Sequence, residues 1–150
     1  MHVRIIGLGQ AAAGDDGVGL AVLERLRERG LPEGVELLRA AEDSALISLL
    51  ETAAPVVLID AAVATPPGEV LELTADELAS QSLRPVSTHG MGVAQAIALA
   101  RALAPGNVSP SVRIVAVTIA RPRRYRQRLS AAVAAAVPRA VDRVVALVGG

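Results

Sequence analysis

The sequence has no cysteine, no lysine, no phenylalanine and no tryptophan, and Tyr125 is its single tyrosine. Without cysteine there is no disulfide, no thiolate ligand and no Cys nucleophile, so any metal chemistry has to use oxygen and nitrogen donors. Without lysine, a Schiff base or a phosphate-gripping P-loop amine is excluded, because all 15 basic residues are arginine. The scarcity of aromatic rings removes the platforms on which single-stranded nucleic acids stack. Net charge is also missing: 15 acidic residues balance the basic ones, which takes away the usual electrostatic case for nucleic acid or an anionic membrane as partner. No apolar run approaches a membrane span. The run from Val3 to Leu8 breaks at Gly9 and Gln10, too early for a secretory signal, so the expected compartment is the cytoplasm.

What remains is an aliphatic chain. With 150 residues and 52% apolar content it suits one domain, residues 1–150, whose core is built from Leu, Val, Ile and Ala. Val3 to Gly7 reads as a strand ending in glycine, and the stretch from Gly17 to Arg29 puts Val18, Val22, Leu23 and Leu26 on one side of a helix that stops at Gly30. Val35–Leu38 is a second strand, Ala45–Ala53 a second helix, and Val56–Ile59 a third strand, apolar throughout as strands buried on both faces are. The β-α-β-α-β order predicts a parallel sheet. The link from Asp60 to Gly68 is too short for a crossover helix, so Glu69–Leu73 should return antiparallel at an edge. Thr74-Ala75-Asp76-Glu77 has the form of a capped helical turn. A helix from about Gly90 to Leu103 should face inward with Val93, Ala96, Ile97, Ala100 and Leu103, and Val112–Ile119 supplies the fifth strand. Leu129–Val148 is helical with Ser130 as N-cap, and Pro138 predicts a kink or two short helices. The expected fold is a three-layer α/β/α domain with a mostly parallel five-stranded sheet and one antiparallel edge strand.

In such sheets ligands bind beyond the carboxyl ends of the parallel strands. Asp15 and Asp16 follow the first strand, Asp60 ends the third, and His89 precedes a helix. An Asp before a helix is a favoured N-cap that also suits the helix dipole, which accounts for one of Asp15 and Asp16 and leaves the other over. Asp60 reads equally as the start of a turn toward Pro66 or as a site carboxylate. The positive helix terminus disfavours imidazolium at His89 and leaves a neutral ring able to ligate a metal. Together, carboxylates and an imidazole on one rim form a donor set suited to nickel, zinc, manganese or iron.

Nucleotide and nucleophile motifs fail by comparison. Gly7-x-Gly9 opens like a dinucleotide fingerprint, but Ala12 stands where its third glycine belongs, and Asp15 and Asp16 occupy the Lys and Ser/Thr places of a P-loop. Two carboxylates there repel the phosphate such a loop binds. The segment Arg39–Asp43 offers no clean ribose-binding acid, no Gly-x-Ser-x-Gly elbow exists, and only one His is placed to act as a base.

The motifs Gly7-Leu8-Gly9, Gly14-Asp15-Asp16-Gly17-Val18-Gly19, Val56-Val57-Leu58-Ile59-Asp60-Ala61 with Pro67-Gly68-Glu69, and Ser87-Thr88-His89, in this order, resemble the hydrogenase maturation protease family over nearly the whole chain. The resemblance implies an endopeptidase that trims the C-terminal extension from a nickel-iron hydrogenase large-subunit precursor. It also implies Asp16, Asp60 and His89 as metal-binding and catalytic residues, with nickel arriving in the nickel-loaded precursor and cadmium or zinc replacing it in vitro. No nucleic acid or membrane partner is expected, and the expected state is a monomer. The chain departs from the pattern at Gln10, where the family usually has Asn, and at Ala40-Ala41-Glu42-Asp43, where it often has Asp-Gly-Gly-Thr. Arg121-Pro122-Arg123-Arg124 reads as a solvated loop ahead of a grip on an acidic precursor tail. The competing readings are a divergent member that binds metal or precursor without cutting, and a Rossmann-like nucleotide-binding protein.

Overall fold

The computed structural model describes residues 2–9, 14–80, 92–121 and 128–149. Strand β1 is Val3–Leu8, followed by a 3-10 turn at Gly14–Gly17 and helix α1, Val18–Arg29. Strand β2, Val35–Ala40, leads through a 3-10 turn at Asp43–Ala45 into a single helical turn, α2, Leu46–Leu49. Strands β3, Val56–Val63, and β4, Val70–Thr74, precede helices α3, Ala75–Ser80, and α4, Val93–Leu103. Strand β5, Val112–Ile119, and helix α5, Ala131–Leu147, complete the chain.

The sheet order is β2-β1-β3-β5-β4. β2, β1, β3 and β5 run parallel, and β4 lies antiparallel to β5 at an edge, as the short link before it requires. Side-chain alternation divides the core in two. Odd positions (Val3, Ile5, Val57, Ile59, Val115, Val117) pack against Val18, Val22, Leu23 and Leu26 of α1 and Val133, Val137 and Val144 of α5. Even positions (Ile6, Leu8, Leu58, Ile114) pack against Leu46 and Leu50 around α2 and Ala96, Ile97 and Ala100 of α4. Ile5, Ile6, Leu58 and Ile59 are completely buried, each contributing about 1.5–3 kcal/mol of transfer free energy.

Three expectations need correction. The second helix does not reach Ala53. It stops after one turn because the chain at Glu51 forms a bridge to Val108, and the carbonyl of Ala54 accepts the Ser109 hydroxyl. Leu103 does not face inward but is 66% exposed, since α4 ends there and its last turn clears the sheet. Pro138 does not split the last helix. Pro138 and Ala134, whose carbonyl loses its donor, both lie on the exposed side of α5, which faces solvent. The Thr74–Glu77 cap, by contrast, forms as a reciprocal box: Glu77 N–H donates to Thr74 Oγ1 at 3.1 Å, and Thr74 N–H to Glu77 Oε1 at 3.0 Å. Gly30 ends α1 with φ +81.

Candidate functional site

The order β2-β1-β3 means that the chain leaves β1 for one side of the sheet and returns on the other, so the switch point lies between β1 and β3. Register fixes what stands there. Gly7 pairs with Ile59 and Leu8 with Ala40, the last paired positions of β1. Asp60 is the next residue of β3, beside the place where β1 has turned away. It does not end its strand, because the apolar Ala61-Ala62-Val63 continues β3 against β5 as far as Val63↔Ile119. Being an even position, Asp60 faces the α2–α4 side.

Asp16 reaches the same place from the 3-10 turn. Gly9, with φ +123, lies so close to this turn that a Cβ on it would stand 2.2 Å from the Asp16 carbonyl oxygen. The loop therefore needs glycine for both conformation and space. Neither Asp caps α1: the N-cap is Gly17, with no side-chain bond. Asp15 is used elsewhere, accepting the Ser130 N–H at 2.6 Å and the Ser130 hydroxyl at 2.9 Å. Ser130 is the N-cap residue of α5 as expected, but its hydroxyl serves Asp15 and does not cap the helix. Adjacent aspartates thus divide their work: Asp15 ties the turn to α5, and Asp16 stays available to the cleft.

A further carboxylate, Asp43, comes from the 3-10 turn after β2. In the sequence Asp43 stands out only as part of the Ala40–Asp43 departure, and its place three residues beyond Ala40, beside the end of β1, is the signal that points to the cleft. Burial raises the Asp16 pKa, and burial together with the charge of Asp16 raises that of Asp43. Asp60 as a residue is only partly covered, but its carboxyl end lies deep. Burial, reinforced by the charges of Asp43 and Asp16, pushes its pKa up to about 8, against the opposing effect of the Ala61 N–H that donates to Oδ1 at 2.8 Å. Asp60 therefore holds a proton near neutral pH.

This has a testable consequence for stability. The Asp60 pKa lies above its ordinary value of 3.8, so the folded chain keeps a proton that the unfolded chain has released, and stability falls as pH rises from about 4 to about 8. Asp60→Asn keeps an acceptor for Ala61 N–H and removes the titration. We expect it to exceed the wild type in stability by about 1–3 kcal/mol at pH 8, with the gain vanishing toward pH 4. Urea midpoints at several pH values check this; parallel profiles for the two proteins would contradict it.

His89 lies outside the described residues, as do Gln10 and Pro122–Gln127, which include Arg123 and Arg124; Arg121 is exposed. Among the described residues, no three of His, Cys, Asp and Glu stand close enough to cage a metal ion, and no helix is long and apolar enough to cross a membrane. A groove of about 420 Å³ between β4 and α5, lined by Glu69, Val70, Arg139, Asp142 and Arg143, contains none of the cleft carboxylates.

Fold and cleft define a small three-layer α/β protein with carboxylates gathered at the switch point of a mostly parallel sheet. Its sequence matches the family "HycI: Hydrogenase maturation protease" over residues 20–147, a span that begins just after the Asp16 turn and includes Asp60. The chain belongs to the hydrogenase maturation protease family, a family of peptidases. Among solved structures, the [NiFe] hydrogenase maturation protease HybD from Thermococcus kodakarensis is 26% identical, with a TM-score of 0.77 over 98% of this chain and 99% of that one. Two others share the fold: the hydrogenase maturating endopeptidase HybD from E. coli at 22% identity (TM-score 0.77; 98% of this chain, 91% of that one), and a [NiFe] hydrogenase maturation protease HycI from T. kodakarensis at 18% (TM-score 0.69; 99% and 93%). No curated protein matches the sequence.

Proposed function

We propose that this protein is an endopeptidase that removes the C-terminal extension of a nickel-iron hydrogenase large-subunit precursor once nickel is in place, with Asp16, Asp60 and His89 as the residues that recognise the nickel and carry the cut. The observation that carries the reading is the buried Asp60 carboxyl at the β1–β3 switch point, with Asp16 and Asp43 near enough for their charges to act on it. Carboxylates that repel one another and hold a proton against their ordinary acidity favour a divalent cation in that proton's place. Oxygen donors with one imidazole suit nickel, and zinc or cadmium should substitute for it in vitro.

Nickel belongs here to the substrate. When bound it would supply a Lewis acid beside the scissile carbonyl, or serve only as the mark of a filled precursor. The chain's own contribution is a preformed acidic recess and a proton on Asp60 that an arriving cation displaces. Recognition should therefore weaken on acidification, since Asp60 gives up that proton less readily. We expect the protein to act as a monomer in the cytoplasm.

The test is incubation with a nickel-loaded precursor followed by intact-mass measurement. Release of one discrete C-terminal peptide is expected. A precursor that binds but stays full length would instead support the non-cutting reading that the Gln10 and Ala40–Asp43 departures allow.

A further inference from the structure

Asp15 is next to a proposed metal-recognising residue, yet its carboxylate is committed elsewhere: both oxygens are hydrogen-bonded to Ser130, 115 residues further along the chain. Both residues are half-buried, which shields the bonds from water. The partner is the first residue ahead of α5, so the negative charge also sits at the positive end of a 17-residue helix. That helix is fixed independently, because Val133, Ala136, Val137 and Val144 are buried against the sheet. The 3-10 turn carrying Asp15 and Asp16 is therefore anchored to a rigid element at Asp15. On the following residue its backbone is confined by Gly9, which leaves no space beside the Asp16 carbonyl.

We infer that Asp15 is a positioning residue: its paired hydrogen bonds to Ser130 hold the turn so that Asp16 is presented to Asp60. This rests on the proposed role of Asp16. The bond geometry requires an acceptor for Ser130 N–H and a partner for Ser130 Oγ, and it does not require a charge. An asparagine meets both needs, since its Oδ1 accepts from the amide and its Nδ2 donates to the hydroxyl. An alanine meets neither. A carboxylate that touched metal or substrate would show the opposite pattern, with asparagine as damaging as alanine.

The experiment compares Asp15→Ala, Asp15→Asn, Ser130→Ala and Asp16→Ala with the wild type in precursor cleavage, at a temperature where each is folded. Hydrogen exchange at the Ser130 amide is followed in parallel. Asp15→Ala should lower kcat by about 10- to 100-fold, the cost of a misplaced group, with KM within about threefold of the wild type. Asp15→Asn should stay within about threefold in kcat, and Ser130→Ala, which keeps the amide bond, should lose only about threefold. Exchange at Ser130 should speed up at least about tenfold in Asp15→Ala and not in Asp15→Asn. A folded Asp15→Ala with wild-type kcat, or an Asp15→Asn as impaired as Asp15→Ala, overturns the inference. If Asp15→Ala does not fold, Asp15→Asn and Ser130→Ala decide by the same criteria. Full activity in Asp16→Ala would instead remove the reading beneath it, and the inference would fall for that separate reason.

Discussion

Asp60→Ala is expected to reduce precursor cleavage at least about 1,000-fold while leaving the protein as stable as the wild type or more so. Removing a group that acts only with the reacting centre costs several kcal/mol of transition-state stabilisation, which is a rate effect of that order. Removing most buried side chains also destabilises the fold, but this one is a carboxyl held in a recess against the charges of Asp16 and Asp43. At pH 8 and above, where the carboxyl ionises, its loss relieves repulsion and the cost of burying a charge, which offsets a small cavity. Loss of activity with gain of stability distinguishes a site carboxylate from a structural one. Cleavage kinetics and thermal unfolding of the same preparation check this, and a variant that loses both together would place Asp60 in the framework instead.

Gly19→Ala is expected to be among the most damaging single methyls in the described residues. The first turn of α1 lies directly on the carboxyl end of β1 and on the middle of β3, where a Cβ at position 19 would stand 2.3 Å from the Leu8 carbonyl oxygen and 2.6 Å from that of Ile59. Both atoms are backbone of buried strands and cannot turn aside, so the helix has to lift away. Overpacking of this kind costs about 3 kcal/mol, and the shift also draws the Asp16 turn away from Asp60. The expected result is a fall in Tm of roughly 6–12 °C, together with loss of cleavage even well below the new Tm. A variant with unchanged Tm would mean that α1 does not sit so close to the sheet.

These effects show where the sequence was readable. The bounds of β5, Val112–Ile119, follow from an apolar run interrupted only by Arg113 and Thr118, and the buried face of α1 from the spacing of Val18, Val22, Leu23 and Leu26, because each pattern is local and is enforced by one neighbouring layer. The antiparallel β4 follows from chain length alone. The extension of β3 past Asp60 was missed because a carboxylate after four apolar residues looks like an end, whereas pairing with β5 carries the strand three residues further. The shortened second helix and the continuous α5 depend on contacts with Val108 and Ser109 and on which side of α5 meets water, and neither is written in local periodicity. Within the cleft, Asp16 and Asp60 were legible from their places after strands of a parallel sheet. Asp43 was not, because its closeness to them is created by the register of β2 on β1. The task of Asp15 was hidden for the same reason, since its partner is Ser130 at the far end of the chain.

The measurement that bears most directly on the central claim is intact-mass analysis of one precursor preparation, divided into nickel-loaded and nickel-free halves and treated with the wild-type protein. Shortening of the loaded half alone, by one defined C-terminal peptide and abolished in Asp16→Ala, is the expected result. Equal shortening of both halves, or none in the loaded half, would contradict it.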